Sequence, residues 1–216
     1  MAARYASPMR RLPCASGPTP TSILIVLPTW VGDFVMATPF LRAVRRRFPT
    51  ARITLLSDPN LRELISGGPW GDDVEFVPAR HAAQSPEARA SSHVRELRQR
   101  RFDWAILLPN SFRSALTAWR IRAKRRIGYD RDARGLLLTD RMPVKNRLRG
   151  FRPRYAPLPL VEYYADLAEA LGCDRPDDAL ELFRTPEADA SFAEKSRALG
   201  VPPHEPRVVI SPGAKF

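Results

Sequence analysis

The stretch from Ile23 to Leu41 constrains the fold of this chain more than any other. It opens with the apolar run Ile23 to Leu27, which is typical of a strand buried on both faces of a parallel sheet. A short turn containing Gly32 follows, and beyond it apolar residues recur at helical spacing while Arg42 and later arginines fill the opposite face. The pattern predicts a strand, a turn and an amphipathic helix, with the carboxylate of Asp33 where the turn passes into the helix.

Two roles are open to Asp33. Aspartate is a preferred N-cap residue and is favoured at the positive end of a helix, so a purely structural cap is the simpler interpretation. Against it, Trp30 and Val31 bring large apolar side chains to a turn, where small polar residues are usual. Because ligands of open α/β sheets bind at the carboxyl ends of the strands, a functional carboxylate is the alternative.

Apolar runs and helical stretches alternate along the rest of the chain. Pro39 is expected to kink the first helix or to mark an irregular turn within it. The alternation predicts an α/β fold with a parallel, doubly wound sheet and right-handed crossovers. The predicted strands cover 22–28, 52–57, 74–78, 103–109 and 207–211, and the predicted helices cover 33–48, 59–66, 87–100, 111–121, 161–172 and 188–199.

Positive charge is concentrated in one segment. The chain has a net charge of +12, and residues 113–154 contribute +11 of it, with 14 basic against 3 acidic residues. A charge run is usually a solvated surface, which we expect for about half of these arginines. The alternative is a wall of guanidinium groups that binds phosphate or carboxylate. The sequence has no nucleic-acid motif, and its aromatic residues are not interleaved with the charges as base stacking requires.

Other patterns limit the class of protein. A hydrophobic content of 44% is too high for a disordered basic chain. The proline-containing residues 1–21 lack an apolar signal-peptide core and are predicted to be a disordered lead-in, and the chain has no apolar run long enough for a transmembrane helix. Cys14 and Cys173 lie far apart without metal or redox spacing, which fits a reducing cytoplasm. Without a carboxylate cluster, we expect no bound divalent metal and no cofactor.

Four motifs follow one another along the chain: the stretch Leu27–Pro49, Leu108–Leu116 (LPNSFRSAL), Arg126–Tyr129 (RIGY) and Val209–Ala214 (VISPGA). Each motif alone is weak, but the four together, in this order and spacing, are specific. They resemble glycosyltransferase family 9, the bacterial lipopolysaccharide heptosyltransferases, and the heptosyltransferase II type most closely, and the resemblance covers residues 22–216.

The resemblance implies the two-domain GT-B architecture of that family. Residues 22–172 would form the N-terminal, Rossmann-like acceptor domain, and residues 173–205 a linker and a helix. Residues 206–216 would be the first strand of a donor domain that is otherwise missing from this sequence. On this basis the chain is expected to be a fragment that is inactive alone.

The resemblance also implies the chemistry. Members of the family transfer heptose from ADP-L-glycero-D-manno-heptose to the phosphorylated inner core of lipopolysaccharide (lipid A-Kdo-heptose), with inversion, and Asp33 matches the general base. We expect a cytoplasmic monomer with peripheral contact to the inner membrane and no nucleic-acid partner. The expected acceptor-binding residues are Trp30, Gly32, Asn110, Ser111, Arg113, Arg126, Arg131 and Arg134, and the expected donor-binding residues are Ser211, Gly213 and Ala214.

A second hypothesis comes from a different class of protein. The charge alone is compatible with a basic, non-catalytic module that binds nucleic acid or anionic lipid. Such a module would not need the Asp33 carboxylate, so that residue separates the two hypotheses.

Overall fold

A computed structural model describes residues 11–77, 86–144, 147–148, 154–155 and 157–201, and describes only the backbone of 86–92, 147–148 and 154–155. The strands are β1 (Ser22–Val26), β2 (Arg52–Ser57), β3 (Asp73–Phe76), β4 (Trp104–Leu107), β5 (Arg125–Tyr129), β6 (Asp140–Met142), β7 (Arg147–Leu148) and β8 (Arg154–Tyr155). The helices are α1 (Val31–Arg47), α2 (Arg62–Ile65), α3 (Pro86–Gln99), α4 (Phe112–Ile121), α5 (Leu160–Ala170) and α6 (Pro186–Ala198).

The first six strands form one parallel sheet in the order β3-β2-β1-β4-β5-β6, and β7 pairs with β8 in a small antiparallel ribbon. The predicted α/β fold with a parallel sheet is therefore confirmed. The order reverses direction between β1 and β4, which is the point where open sheets of this kind bind ligands beyond the carboxyl ends of the strands. We call that side of the sheet the carboxyl edge and the opposite side the amino edge.

Helices cover both faces of the sheet because the central strands are apolar on both sides. In β1, Ile23 and Ile25 belong to a core cluster that includes residues of α1 and α5. The alternate residues Leu24 and Val26 belong to a second cluster with residues of α3 and α4. This alternation in a wholly apolar strand is what fixes the doubly wound arrangement.

Strands β5 and β6 were not predicted. Each is short and begins or continues with charged residues, among them Arg125, Arg126 and Arg141, so neither forms the apolar run that marks the other central strands.

Helix α1 continues through Pro39, so this proline does not mark an irregular turn within the helix. The Thr38 hydroxyl donates a hydrogen bond of 2.8 Å to the Val35 carbonyl, the acceptor that loses its usual N–H partner to the proline.

The predicted disordered lead-in is ordered from residue 11 onward. Residues Pro13–Ser16 form a 3₁₀ helix, and Leu12 and Cys14 are buried in the core. The Leu12 N–H donates to the Ala170 carbonyl at 2.8 Å, which ties this segment to the end of α5. Apolar contacts by two residues outweigh the proline content from which disorder was predicted. Residues 1–10 lie outside the described residues.

The chain divides into two compact units between Leu182 and Phe183. In the second unit, α6 is capped by the Thr185 hydroxyl, which accepts from the Ala188 N–H at 3.2 Å. The predicted domain limits at 172 and 205 stay predictions, and the predicted strand over 207–211 lies outside the described residues. Within the described part of the chain, no helix combines the length and apolar character needed to cross a bilayer.

Asp103 joins the starts of three strands at the amino edge. Its carboxylate accepts from the N–H and hydroxyl of Thr21 at 2.9 and 2.8 Å, from the Ser22 N–H at 3.2 Å and from the Lys124 ammonium at 2.8 Å. Burial acts to raise the pKa of Asp103, but these hydrogen bonds outweigh it and lower the pKa from 3.8 to about 2.

The substitution Asp103→Asn tests this junction. Because the folded state holds the pKa of Asp103 below its unfolded value, its contribution to stability is present above pH 4 and is lost as the pH falls towards 2. After allowance for solvent screening, we expect the variant to lose about 1–2 kcal/mol of unfolding free energy at pH 7. Urea unfolding at pH 7, 4 and 3 should show the two proteins converging as the pH falls, and a constant difference would contradict the assignment.

Candidate functional site

Asp33 lies at the carboxyl edge beside the switch point of the sheet. The N-cap of α1 is Trp30, which makes no side-chain cap bond, so Asp33 is the third residue of the helix and not its cap. Its side chain is half-buried, and its carboxylate makes no hydrogen bond or ion pair with any described residue. Trp30 is 75% exposed, so the approach to this edge from solvent is open.

Tyr164 of α5 lies close enough to Asp33 to feel its charge. Burial raises the pKa of the Tyr164 phenol, and the negative charge of Asp33 raises it further. The phenol therefore stays neutral at physiological pH. Its ring also packs against Phe40 of α1, with ring centroids 6.5 Å apart. Asp33 thus has an uncharged aromatic neighbour on the protein side.

The loop after β4 supplies polar side chains to the same edge. The Ser111 hydroxyl accepts from the Ser114 N–H at 3.2 Å and caps α4. The Asn110 side-chain oxygen accepts from the Tyr163 hydroxyl at 3.0 Å and from the Arg134 guanidinium at 3.1 Å. Asn110 is therefore held in one orientation, while Ser111 is exposed.

Arg134 is fully buried between the loops that follow β4 and β5. Besides Asn110, its guanidinium donates to the Tyr129 carbonyl at 2.8 Å, to the Pro109 carbonyl and to the Ser114 hydroxyl at 3.3 Å. Burial lowers the pKa of Arg134 to about 10, so it remains charged at neutral pH. These bonds hold the two loops in a fixed relation, which is a positioning role and differs from the direct acceptor contact that the resemblance implies.

The RIGY motif gains a physical explanation from Arg134. A β-carbon at Gly128 would lie 3.0 Å from the Arg134 guanidinium and 3.3 Å from the Leu107 side chain, so the glycine provides the space that the arginine occupies. The next residue, Tyr129, donates from its hydroxyl to the Tyr163 carbonyl at 2.6 Å and stacks on the Tyr163 ring at 3.6 Å.

The structure separates the predicted arginines. Arg131 follows β5 at the carboxyl edge, 3.7 Å from the Asp132 carboxylate, and Arg113 is exposed in the first turn of α4. Arg126 lies near the start of β5, and its guanidinium donates to the carbonyls of Leu137 and Ala123 at 2.7 and 2.9 Å. Arg126 is therefore not brought together with the others.

Most of the predicted site residues share the carboxyl edge, and the predicted donor-binding residues cannot be located. The residues at that edge are Trp30, Gly32, Asp33, Asn110, Ser111, Arg113, Arg131 and Arg134. Ser211, Gly213 and Ala214 lie outside the described residues. Across the part that is described, no three His, Cys, Asp or Glu side chains come together as a metal site.

Sequence reasoning missed the contribution of α5 to the site. Tyr163 and Tyr164 are both buried in the core. The Tyr163 hydroxyl also bonds the Asn110 side chain, and Tyr164 lies beside Asp33. Nothing in the local pattern of an amphipathic helix distinguishes a tyrosine that packs from one that also orients a site residue.

We expect Gly128→Ala to disturb the packing of the buried Arg134 side chain. The added methyl group must push against the guanidinium and the Leu107 side chain, so the free energy of unfolding should fall by about 1–3 kcal/mol. Gly32→Ala is the matched control. Gly32 lies in the first turn of α1, and a β-carbon added there would meet nothing within 4 Å. It should leave stability unchanged or raise it by up to about 1 kcal/mol. Equal effects of the two substitutions in urea unfolding would contradict the role of Gly128.

Comparison with known proteins supports the family resemblance and the fold. The sequence profile of glycosyltransferase family 9 (heptosyltransferase) matches residues 90–216. Lipopolysaccharide heptosyltransferase 2 of Escherichia coli K12 is 32% identical over 199 residues, which are 90% of this chain and 54% of that protein. The chain thus spans about half the length of the curated relatives it matches.

Solved structures show the same architecture. A glycosyl transferase family 9 structure from Veillonella parvula superposes with a TM-score of 0.65 at 20% identity, over 86% of this chain and 51% of that one. The structure of E. coli ADP-heptose lps heptosyltransferase II gives a TM-score of 0.62 at 25% identity, over 86% and 52%. With more than half of its residues matched by the family profile, this chain belongs to glycosyltransferase family 9, the heptosyltransferases.

Proposed function

We propose that this chain forms the acceptor-binding part of an inverting heptosyltransferase and that Asp33 is its general base. The observation that carries the proposal is the Asp33 carboxylate, half-buried at the switch point of the sheet and without a bonding partner in the described part of the chain. Membership of the heptosyltransferase family supplies a reaction in which such a carboxylate takes part.

The reaction would form a bond between an acceptor hydroxyl oxygen and the anomeric carbon of the heptose. The bond from that carbon to the phosphate oxygen of ADP would break, and ADP would leave with the electron pair. Asp33 would take the hydroxyl proton as the new bond forms, and attack opposite the leaving group would invert the anomeric carbon. A general base must reach the proton that it removes, and a partly exposed carboxylate at an open edge supports this role.

The names of the relatives support the choice of substrates. They are lipopolysaccharide heptosyltransferases, and one structure is of an ADP-heptose lps heptosyltransferase. We therefore propose ADP-L-glycero-D-manno-heptose as the donor and the phosphorylated lipid A-Kdo-heptose inner core as the acceptor. The enzyme would act as a peripheral monomer at the cytoplasmic face of the inner membrane. Donor contacts by Ser211, Gly213 and Ala214 are part of the same proposal.

The arginines would have different tasks in this site. Arg113 and Arg131 are at the carboxyl edge and at least partly exposed, which supports direct contact with the anionic groups of the acceptor. Arg134 would act indirectly, by holding Asn110 in place. The exposed ring of Trp30 offers a flat apolar surface for a sugar. Acceptor binding by Arg126 stays a prediction without support from its position.

The alternative of a basic, non-catalytic binding module is not favoured. Its support is the net charge of +12, whereas the family assignment rests on more than half of the sequence. Part of the positive charge is also engaged within the protein, since the guanidinium groups of Arg126 and Arg134 donate hydrogen bonds to main-chain oxygens.

Replacement of Asp33 tests the proposed function. The chain would be joined to the remaining C-terminal part of E. coli lipopolysaccharide heptosyltransferase 2, and the release of ADP from ADP-heptose would be followed with an inner-core acceptor. Asp33→Asn removes the base but keeps the shape of the side chain, so kcat should fall by about 100- to 10,000-fold. The acceptor KM should change far less, because binding depends on other groups.

Asp58→Asn is the matched control for this assay. Asp58 follows β2 at the same edge and caps a short 3₁₀ helix by accepting from the Asn60 N–H at 3.0 Å, a task that asparagine also performs. Its kcat should stay within about threefold of the parent. A loss of less than threefold for Asp33→Asn, in a protein with unchanged thermal stability, would exclude Asp33 as the base.

A further inference from the structure

A basic cleft lies at the amino edge of the sheet, on the side away from Asp33. Its volume is about 530 Å³. Phe102, which directly precedes the loop into β4, is buried among its lining residues, and the cleft opens between the ends of α3 and α4. We call it the amino-edge cleft; the cations that line it are Arg95, Arg98, Arg101, Arg122 and Lys124.

The charge in the amino-edge cleft is not neutralised by the protein. Lys124 is paired with Asp103 at 2.8 Å, but the side chains of the four arginines make no ion pair or hydrogen bond with any residue that the structure describes. The carboxyl ends of α3 and α4 each carry about half a negative charge. Together they offset about one of the four positive charges, so about three remain.

Two of the arginines occupy backbone positions that favour glycine. Arg101 and Arg122 follow the ends of α3 and α4 with φ of 52° and 61°, in the left-handed region. Helices often end with glycine at such a position because a β-carbon is disfavoured there. Residues held in this conformation against their preference concentrate at functional sites. The same unfavourable choice at both helix ends of one cleft favours a functional use of the two arginines.

We propose that the amino-edge cleft binds a ligand that carries two or more phosphate groups on a compact scaffold. Planar guanidinium groups bind phosphate bidentately, and four of them match more than one phosphate. The volume falls within the range of small-molecule sites, and a concave site of this size suits a compact group better than an extended polyanion. A soluble diphosphate and a phosphorylated lipid headgroup share this chemistry. The proposal is independent of the role of Asp33, which lies at the opposite edge.

The double substitution Arg101→Gly/Arg122→Gly tests the site without endangering the fold. Glycine is favoured at both positions, so the melting temperature should be unchanged or higher, and lost binding could not be ascribed to unfolding. The charge-matched control is Arg46→Gln/Arg141→Gln, which removes two exposed arginines that do not line the cleft. Inorganic pyrophosphate, titrated by calorimetry at fixed ionic strength, and vesicles of phosphatidylcholine with or without cardiolipin, whose headgroup carries two phosphates on one glycerol, are the two probes.

We expect saturable binding of one pyrophosphate, weakened at least about tenfold by the glycine pair and less than about twofold by the control pair. Binding to cardiolipin vesicles alone, lost in the glycine pair but kept in the control, would also support the site and would identify a lipid headgroup as the source of the phosphates. Equal weakening by both pairs would show diffuse charge attraction and overturn the proposal. Absence of saturable binding to either probe would overturn it as well.

Discussion

The guanidinium of Arg134 connects the loops that follow β4 and β5, and the geometry of the carboxyl edge depends on it. A buried charge is costly unless it is fully hydrogen-bonded, so the oxygens of Pro109, Asn110 and Tyr129 must stay where they are for Arg134 to remain inside. Gly128 completes the arrangement by leaving room for the side chain. One satisfied cation thereby fixes the polar loop that faces Asp33 across the switch point of the sheet.

The two edges of the sheet carry different chemistry although both receive arginines from the basic segment 113–154. At the carboxyl edge, Arg134 is buried and hydrogen-bonded within the fold, whereas Arg113 is exposed. At the amino edge, Arg122 contributes to a cleft whose charge exceeds what the helix ends offset. In a parallel sheet, the loops that precede the strands lie at the amino edge and the loops that follow them lie at the carboxyl edge. The length of the strands therefore separates the arginines of the two edges. Net charge therefore says little about how many anion sites a chain has.

The sequence was sufficient for those parts of the fold that depend on apolar runs. The run through β1 and the helical spacing after it predicted the strand, α1 and the placement of Asp33 near the carboxyl edge. The short strands β5 and β6 were missed because their outer residues are charged and only Ile127, Tyr129 and Met142 are apolar and buried. The burial of Arg134 was also beyond sequence reasoning, since two of its partners are main-chain oxygens, which leave no mark in the sequence, and its side-chain partners Asn110 and Ser114 lie at least 20 residues away along the chain. The hydrogen bond between the Tyr163 hydroxyl and the Asn110 side chain could not be foreseen either, because the two residues are 53 positions apart in the sequence.

Mapping of acceptor binding by nuclear magnetic resonance tests the central claim most directly. The probe is a soluble inner-core oligosaccharide with a single phosphate and no lipid, titrated into the isotopically labelled chain. Acceptor binding at the switch point predicts shifts in the backbone amides of Gly32, Asp33, Asn110 and Ser111, with the amides of β3 unmoved. Saturable binding that leaves all four of those amides unperturbed would contradict an acceptor site beside Asp33.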